Sequence, residues 1–319
     1  MKFKTTNESI GARLDKFLTE KLTDLSRSQI QKLIKAGAAA VNGNIVSAHY
    51  TLKNNDLIIF SKKEKTNKLA EEKKETTAPI AWSEIKIIAK TPDYLIINKP
   101  AGIAVHGAAH MKEKTLVDFL LEKFPEIKKI GDDPGRPGIV HRLDKEASGL
   151  LAIARTQKFF DNLKKQFQER RVGKKYTALV YDEVKKIEGL INFPIERASD
   201  GHKMAALPLT FKGIETQKGR RAITEFQIIK KFINYTLLKI KIKTGRTHQI
   251  RVHLSAYGHP LVGDKIYGTG RTRLCNKKIK LGRIFLVADE LSFIDLDEKK
   301  QYFKIDLPEK LKIFLKKIK

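Results

Sequence analysis

The sequence predicts an α+β protein of two domains joined by a charged linker. The chain has 319 residues, which is enough for about two domains of ~150 residues each. Hydrophobic residues make up 41% of the chain, and both helix-like and strand-like patterns of them recur in each half. Residues 62–80 contain almost no large apolar side chain, so burial there cannot offset the entropy of ordering. We therefore expect domains at residues 1–61 and 81–319, with residues 62–80 as a flexible linker.

The N-terminal domain has the pattern of a small α/β module. Apolar residues at helical spacing in residues 14–22 predict a first helix. Ser26 offers an N-cap for a second helix that Gly37 can end. Residues 41–46, VNGNIV, predict a hairpin with an Asn-Gly turn, and residues 57–60 predict a last strand.

The C-terminal domain alternates between strand and helix patterns. An amphipathic basic helix is predicted at its end, over residues 308–319, and we expect it to dock on the core with its lysines facing a nucleic acid, the alternative being a membrane surface. The patterns predict strands at residues 85–89, 94–98 and 174–180, helices at 115–121 and 158–170, hairpins between 191 and 221, and strands at 222–226 and 235–242.

The charge balance favours a polyanionic partner. The chain has 64 Lys and Arg against 36 Asp and Glu, a formal net charge of +28, which suits RNA, DNA or an anionic membrane. No apolar run approaches the ~20 residues needed to cross a bilayer, and residues 1–8 lack the apolar core of a secretory signal. We therefore expect a nucleic-acid partner and no membrane. A lysine-rich genome is the alternative source of the charge.

Cysteine usage fits a reducing compartment. Cys275 is the only cysteine, which excludes an intrachain disulfide and a zinc site built from several cysteines. We expect a cytoplasmic protein.

A dense polar turn stands out in the second domain. It lies between apolar segments in residues 138–151, GIVHRLDKEASGLL. Asp144 falls between Arg142 and Lys145, and neighbouring cations favour the ionised carboxylate. An ionised carboxylate in a fixed position suits nucleophilic or general-base chemistry, although an ordinary surface ion pair would have the same sequence.

This turn resembles the catalytic signature of the RluA/RluC/RluD family of RNA pseudouridine synthases. The resemblance extends to residues 174–180, KKYTALV, to residues 244–254, TGRTHQIRVHL, and to residues 258–268, GHPLVGDKIYG. It implies a catalytic domain around a mixed, largely antiparallel sheet. It also implies isomerisation of uridine to pseudouridine in RNA, above all the 23S ribosomal RNA, with the target base flipped out of its stack. The implied enzyme acts as a monomer and needs no cofactor.

The resemblance assigns roles to individual residues of the second domain. Asp144 becomes the catalytic carboxylate and Arg251 its partner, whereas Tyr176, which alone would suggest an ordinary core residue, packs against the target base. Arg142 becomes the candidate to fill the space that the flipped base leaves, and Arg246 either supports the site or binds phosphate. The substrate-binding set implied in this way is Arg142, Ile250, His141 and Arg246.

A second resemblance covers the N-terminal domain. Residues 13–18, RLDKFL, residues 25–30, LSRSQI, and residues 41–43, VNG, are similar to the S4 RNA-binding domain. Basic residues on a helix are usually only solvated, but this resemblance implies an RNA-binding surface. The RNA-binding residues that it implies are Arg13, Arg27, Ser28, Gln29 and Lys32.

The sequence gives no support for a metal site. His248 and His253 would lie on opposite faces of a strand and five residues apart on a helix, and neither arrangement makes a good ligand pair. We expect no metal. The sequence also departs from the family pattern at Ala147, where Thr is usual, and at Val287, where His is usual.

Two other classes of function compete with the synthase. Residues 141–144, HRLD, superficially resemble a kinase catalytic loop, but the intervening Leu143 and the lack of a glycine-rich phosphate loop or an Asp-Phe-Gly segment argue against a kinase. A non-catalytic RNA-binding assembly factor would also use an S4 domain. The combination of Asp144, Tyr176 and Arg251 favours the enzyme.

Overall fold

The computed structural model describes residues 1–6, 9–22, 24–35, 37–61, 82–107, 113–198, 203–207, 210–211, 214–215 and 219–318. The chain divides into two compact units, Met1–Thr77 and Ala78–Lys319. The predicted linker, residues 62–80, lies outside the described residues.

The first unit combines a four-stranded antiparallel sheet with two helices, in the sheet order β1-β4-β2-β3. Asn42 and Gly43 both have positive φ, 51° and 82°, as a two-residue hairpin turn between β2 and β3 requires. Both predicted helices, the hairpin and the last strand are confirmed, whereas the three-residue β1 is an addition. The elements are β1 (Lys2–Lys4), α1 (Leu14–Lys21), α2 (Arg27–Lys35), β2 (Ala39–Val41), β3 (Asn44–Ile45) and β4 (Leu57–Phe60).

The second unit is organised around one nine-stranded sheet. Its order is β5-β6-β7-β16-β8-β15-β14-β9, with β17 also paired to β16. The pair β7–β16 is parallel and the other pairs are antiparallel, so the mixed, largely antiparallel sheet is confirmed. The elements are β5 (Lys86–Lys90), β6 (Tyr94–Lys99), α3 (Leu116–Lys123), β7 (Ser148–Ala154), α4 (Gln157–Gln168), β8 (Gly173–Tyr181), β9 (Glu188–Ile191), β10 (Ile195–Arg197), β11 (Met204–Ala206), β12 (Thr210–Phe211), β13 (Ile214–Glu215), β14 (Thr224–Phe232), β15 (Tyr235–Ile242), α5 (Gln249–Ala256), α6 (Gly270–Ile279), β16 (Leu286–Ile294), β17 (Lys300–Lys304) and α7 (Glu309–Lys317).

Helices cover both faces of the sheet at β7. Successive side chains of a strand point to opposite faces. Leu151 accordingly shares a core cluster with Leu120 of α3, while Ala152 shares another with Phe159 of α4. The strand is therefore buried on both sides, which explains why its sequence is continuously apolar.

The C-terminal helix docks on the core, as predicted. Leu311 of α7 is fully buried in one cluster with Phe285 and Val287. Val287, which stands where the family usually has His, thus occupies an apolar position. Within the described ranges, no helix is long and apolar enough to cross a membrane.

Candidate active site

The turn that contains Asp144 is tied to the sheet at several points. Ile139 forms a bridge with Ile153 of β7, and the backbone N–H of Ala152 donates to Nε2 of His141 at 3.0 Å. On the other side, the N–H of Gly102 donates to the carbonyl oxygen of Lys145 at 2.6 Å. These contacts fix the backbone on both sides of Asp144, as a catalytic group requires.

Lys99, which the sequence analysis did not single out, lies fully buried behind this turn. Its ammonium donates to the carbonyl oxygens of Pro100 and Ile103 at 2.8 Å and of Lys145 at 3.2 Å. Burial, together with the charge of Arg283, lowers the pKa of Lys99 to about 7, while the three carbonyl oxygens favour the ammonium. Lys99 therefore joins its own loop to the Asp144 turn.

The exit of the turn needs a glycine. Gly149 has a φ of +129°, and a Cβ atom there would lie 2.2 Å from the carbonyl oxygen of Ala288. Any side chain would force β7 away from the parallel strand β16. The close approach of these two strands sets where the turn ends.

Asp144 lies beside Arg251, the predicted partner, at the mouth of a fixed ion cluster. Nη1 of Arg251 is 3.5 Å from Oδ2 of Asp144 and 3.5 Å from Oε2 of Glu146. The closest partner is Asp264, which accepts two hydrogen bonds from the guanidinium at 2.8 and 2.9 Å. Burial disfavours the guanidinium charge, but hydrogen bonding to Asp264 and the carboxylate charges outweigh it and raise the pKa of Arg251 above its usual range. Asp144, 16% exposed, therefore faces a permanent cation.

The cations next to Asp144 in sequence make their contacts elsewhere. Lys145 pairs with Glu113, and Nη1 of Arg142 lies 3.3 Å from Nε2 of His106. The ion pair of Asp144 is instead with Arg251, 107 positions further along the chain.

Tyr176 lies buried in the middle of β8, opposite Ile240 of β15 and Ala288 of β16. Burial raises the pKa of its phenol well above the usual range, and the charge of Asp144 raises it further. The ring is thus a neutral, apolar wall of the site.

The segment 244–254 turns out to be a loop followed by a helix. α5 begins at Gln249 directly after His248, whose φ of 55° is left-handed. The side-chain oxygen of Gln249 accepts hydrogen bonds from Thr244 Oγ1 at 2.7 Å and from the N–H of Arg246 at 3.0 Å. This arrangement brings Ile250 and Arg246 to the wall of the cleft and leaves Arg251 on the buried side.

Each histidine of this segment has its own hydrogen-bond partner. His248 Nδ1 lies 2.9 Å from the hydroxyl of Tyr267, and His253 is bonded through both ring nitrogens, to Thr224 Oγ1 and to the carbonyl oxygen of Phe193. Across the described residues there is no group of three or more side chains placed to hold a metal ion.

His141 supports the turn. Its Nε2 accepts from the backbone, and its ring stacks on Phe167 with centroids 4.8 Å apart. Burial, with the charge of Lys174, lowers the pKa of His141 to about 3, so the ring stays neutral. The hydrogen bond to β7 gives His141 a function in holding the loop.

These groups line a cleft of about 720 Å³, large enough for a nucleotide. Asp144 is the only carboxylate among the described lining residues. An anionic, extended substrate suits such a surface. The cationic lining residues are Arg136, Arg142, Arg170, Arg171, Lys174, Lys241, Lys243, Arg246 and Lys300.

The first unit has a separate cationic cluster around Asp15, a residue that the sequence analysis passed over. The Asp15 carboxylate is fully buried and accepts hydrogen bonds from Arg13 at 3.0 and 3.0 Å, from Arg27 at 3.0 and 3.2 Å, and from Gln31 at 2.5 Å. Burial raises the pKa of Asp15, but the hydrogen bonds from Arg13, Gln31 and Arg27 outweigh it, so that the pKa lies well below its usual range. The two arginines remain partly exposed.

The other predicted RNA-binding residues of this unit lie on α2. Ser28 and Gln29 are exposed, and the side-chain oxygen of Gln29 accepts from the N–H of Ser26 at 2.8 Å, as in a capping box. The side chain of Lys32 lies outside the described part of the chain.

Comparison with known proteins gives consistent matches over most of the chain. The profile of the RNA pseudouridylate synthase family matches residues 93–256, and the profile of the S4 domain matches residues 12–58. The ribosomal large subunit pseudouridine synthase D of Zymomonas mobilis is 31% identical over 98% of this chain and 95% of its own length. The ribosomal large subunit pseudouridine synthase C of Buchnera aphidicola is 35% identical over 92% of each chain.

A solved structure agrees with these matches. The human RNA pseudouridylate synthase domain containing 1 superposes with a TM-score of 0.56 at 26% identity, over 73% of this chain and 86% of its own.

Proposed function

The chain belongs to the RNA pseudouridylate synthase family, and from that membership we propose that it modifies the RNA of the large ribosomal subunit with Asp144 as its catalytic carboxylate. Enzymes of this family convert uridine to pseudouridine within RNA. The choice of ribosomal RNA rests on the names of relatives that match nearly the whole chain.

The choice of Asp144 as the catalytic carboxylate rests mainly on one observation. Asp144 is the only carboxylate among the described residues of a cleft whose other charged side chains are cations. A polyanion entering this cleft meets a single described carboxylate, a group that can act as a nucleophile. Arg251 places a positive charge 3.5 Å from that carboxylate, and its own position is fixed by Asp264.

The proposed chemistry is an isomerisation. The N1–C1′ bond of the target uridine breaks, the uracil turns, and C5 bonds to C1′, while the proton lost from C5 is balanced by one gained at N1. Asp144 acts as nucleophile, at C6 of the base or at the sugar. No electron or phosphoryl group is transferred, so the proposal includes no cofactor.

The neighbouring residues take complementary roles in this proposal. The base must leave its stack to reach Asp144, and Arg142, which is exposed at the cleft, fills the vacated space. Tyr176 and Ile250 then enclose the uracil between apolar surfaces. Arg246 binds a phosphate at the rim, and His141 holds the turn.

The first unit contributes RNA affinity in the same proposal. Its S4 domain offers Arg13 and Arg27 beside the exposed Ser28 and Gln29. We further propose that the enzyme acts as a monomer, because a single chain supplies both the carboxylate and the cationic lining of the cleft.

Conversion of a transcript tests this function directly. An unmodified transcript of large-subunit ribosomal RNA is incubated with the full-length protein, and pseudouridine is mapped at nucleotide resolution. We expect conversion at a defined site by the wild type and none by Asp144→Asn, which keeps the shape of the side chain but not its nucleophile.

Glu146→Gln is the matched control. Glu146 lies at the same 3.5 Å from Arg251 as Asp144 does, but it is 44% exposed and lies outside the cleft lining. We expect it to retain activity. Turnover by Asp144→Asn near the wild-type rate would overturn the assignment, and RNA binding without conversion by the wild type would indicate a non-catalytic RNA-binding factor.

A further inference from the structure

Lys174 is a cation of the cleft that the mechanism above does not use. It lies on β8 two residues before Tyr176, so the two side chains point to the same face of the sheet. Its Nζ lies 4.7 Å from the centroid of the Phe167 ring. A Cβ atom added at Gly245 would lie 3.8 Å from it, so the ammonium sits beside the loop that leads to Arg246.

The ammonium of Lys174 has no carboxylate partner. Its described surroundings provide no hydrogen bond and no ion pair for it, and its side chain is only partly exposed. Burial lowers the pKa of Lys174 to about 8, because loss of water disfavours the charged form. An unpaired, partly desolvated cation is costly to the folded protein and is typical of a site that awaits an anion.

Three other cations around the cleft are already paired with carboxylates. Arg136 lies 2.9 Å from Asp133, and Lys243 lies 3.5 Å from Glu225. Arg171 pairs with Glu169 at 2.5 Å. Among these, Lys174 is thus the cation with the most to gain from an anionic ligand.

The neighbours of Lys174 place it at the edge of the Asp144 turn. Phe167, which the ammonium contacts, also stacks on His141, and His141 belongs to the turn that contains Asp144. An anion held by Lys174 would therefore lie next to the reacting nucleotide and not in its place, since the partner of Asp144 is Arg251.

We propose that Lys174 is a substrate-binding residue that holds a phosphate of the RNA strand adjacent to the target uridine. An ammonium is a compact point charge that binds phosphate oxygens from several directions. The proposal deepens the proposed function and rests on it. A contact to a neighbouring base, made through the face of Phe167, is the competing outcome.

The salt dependence of RNA binding tests the proposal. Each phosphate neutralised by a protein cation releases counterions, so affinity falls as salt is added. Losing one such contact makes the negative slope of log affinity against log salt concentration shallower by about 0.7–0.9. We expect Lys174→Met in the full-length protein to bind the large-subunit RNA transcript several-fold more weakly and to show this shallower slope. Lys174→Arg, which keeps the charge, should restore the slope.

Lys175→Met is the matched control for the loss of one positive charge. Lys175 is the next residue of the same strand, points to the opposite face and pairs with Glu290 at 3.1 Å. We expect it to leave the slope unchanged. Equal slopes for wild type and Lys174→Met, or equal losses for Lys174→Met and Lys175→Met, would overturn the proposal, and weaker binding with an unchanged slope would assign Lys174 to a base.

Thermal unfolding and turnover complete the test. Removing an unpaired ammonium should leave the melting temperature of Lys174→Met at or above that of the wild type, and a clear decrease would mean that the lysine is structural. The slope is measured without turnover, so it tests Lys174 even if the wild type converts no uridine. Absence of conversion by the wild type would instead refute the proposed function.

Discussion

Arg251 donates two hydrogen bonds to Asp264, at 2.8 and 2.9 Å, and both side chains are almost completely buried. The third nitrogen of the guanidinium, Nη1, is left to face Asp144 at 3.5 Å. Asp264 thus fixes the plane of the guanidinium, and the guanidinium in turn fixes the electrostatic surroundings of Asp144. Arg251 thus belongs to a buried ion pair on one side and contacts the proposed catalytic carboxylate on the other.

The stability effect of Arg251 should therefore depend mainly on Asp264. Arg251→Met leaves a buried carboxylate without its partner, which costs about 3–5 kcal/mol. The loss should shrink in the Asp264→Asn background, with a coupling energy of about 1–3 kcal/mol. Unfolding is followed by the fluorescence of Trp82, the only tryptophan, which packs on Phe119 in the second unit.

Asp144→Asn provides the contrasting background. Its carboxylate is more distant from Arg251 and partly exposed, so its coupling to Arg251→Met should be weaker than that of Asp264→Asn. The sequence alone names Asp144 as the partner of Arg251. It therefore predicts that Asp144→Asn, and not Asp264→Asn, reduces the stability loss caused by Arg251→Met. Stronger coupling of Arg251 to Asp144 than to Asp264 would contradict the geometry described here.

The sequence predicts the members of the site better than their contacts. The short signature around Asp144, the strand with Tyr176 and the segment with Arg251 could each be recognised locally. The partner Asp264 could not, because the resemblance of residues 258–268 to the family does not indicate which of their side chains contacts Arg251. A choice between carboxylates for one arginine depends on tertiary distances that no local pattern contains.

Buried charges explain the other omissions. Lys99 and Asp15 are fully buried, although charged residues usually lie at the surface, so a sequence gives no reason to single them out.

The helix α6, residues Gly270–Ile279, is missed for a different reason. Its polar and basic sequence has no clear apolar stripe, which is the pattern that predicts a helix.

Lys99 should stabilise the Asp144 turn and raise the turnover number. Lys99→Met removes a donor from three carbonyl oxygens. The oxygen of Lys145 keeps the N–H of Gly102, whereas those of Pro100 and Ile103 lose the ammonium, and each buried acceptor left unpaired costs about 1–3 kcal/mol. We expect a loss of at least about 2 kcal/mol in the Trp82 unfolding transition. We also expect a lower kcat with little change in KM, because Lys99 does not line the cleft.

Lys90→Met is the control for Lys99. Lys90 is an exposed lysine at the end of the neighbouring strand β5, and the one described contact of its ammonium, 5.4 Å from the centroid of the Phe124 ring, is worth about 0.5–1 kcal/mol. A Lys99→Met enzyme with the stability and kcat of the Lys90→Met enzyme would show that the buried hydrogen bonds do not support the turn.

Glu290 should give the second unit an acid-sensitive contribution to stability. Burial raises the pKa of Glu290, but hydrogen bonds from Lys239 and Lys175 outweigh it and lower the pKa to about 2. Because this value is below that of the unfolded chain, about 4.3, the stabilisation is complete above about pH 5 and decreases as the pH falls toward 2.

Glu290→Gln tests this dependence. The difference in melting temperature between wild type and Glu290→Gln should be constant from pH 5 to pH 7 and narrow steadily between about pH 4.5 and pH 3. A difference that does not vary with pH over this range would mean that the effect of the substitution is steric.

Asp15 should increase RNA affinity although it is negatively charged. Its carboxylate aligns Arg13 and Arg27 on the surface of the S4 unit, and arginines held in place lose less entropy when they bind phosphate. Simple charge counting predicts the opposite, because Asp15→Asn makes the surface more positive. Asp15→Asn should therefore bind the RNA transcript more weakly if orientation dominates and more tightly if net charge dominates.

Asp24→Asn, at an exposed position of the same unit, makes the same charge change without touching the arginines and measures the net-charge effect alone. We expect affinity to fall for Asp15→Asn and to stay equal or rise for Asp24→Asn, with kcat at saturating RNA unchanged in both, and tighter binding by Asp15→Asn would rule out an orienting role.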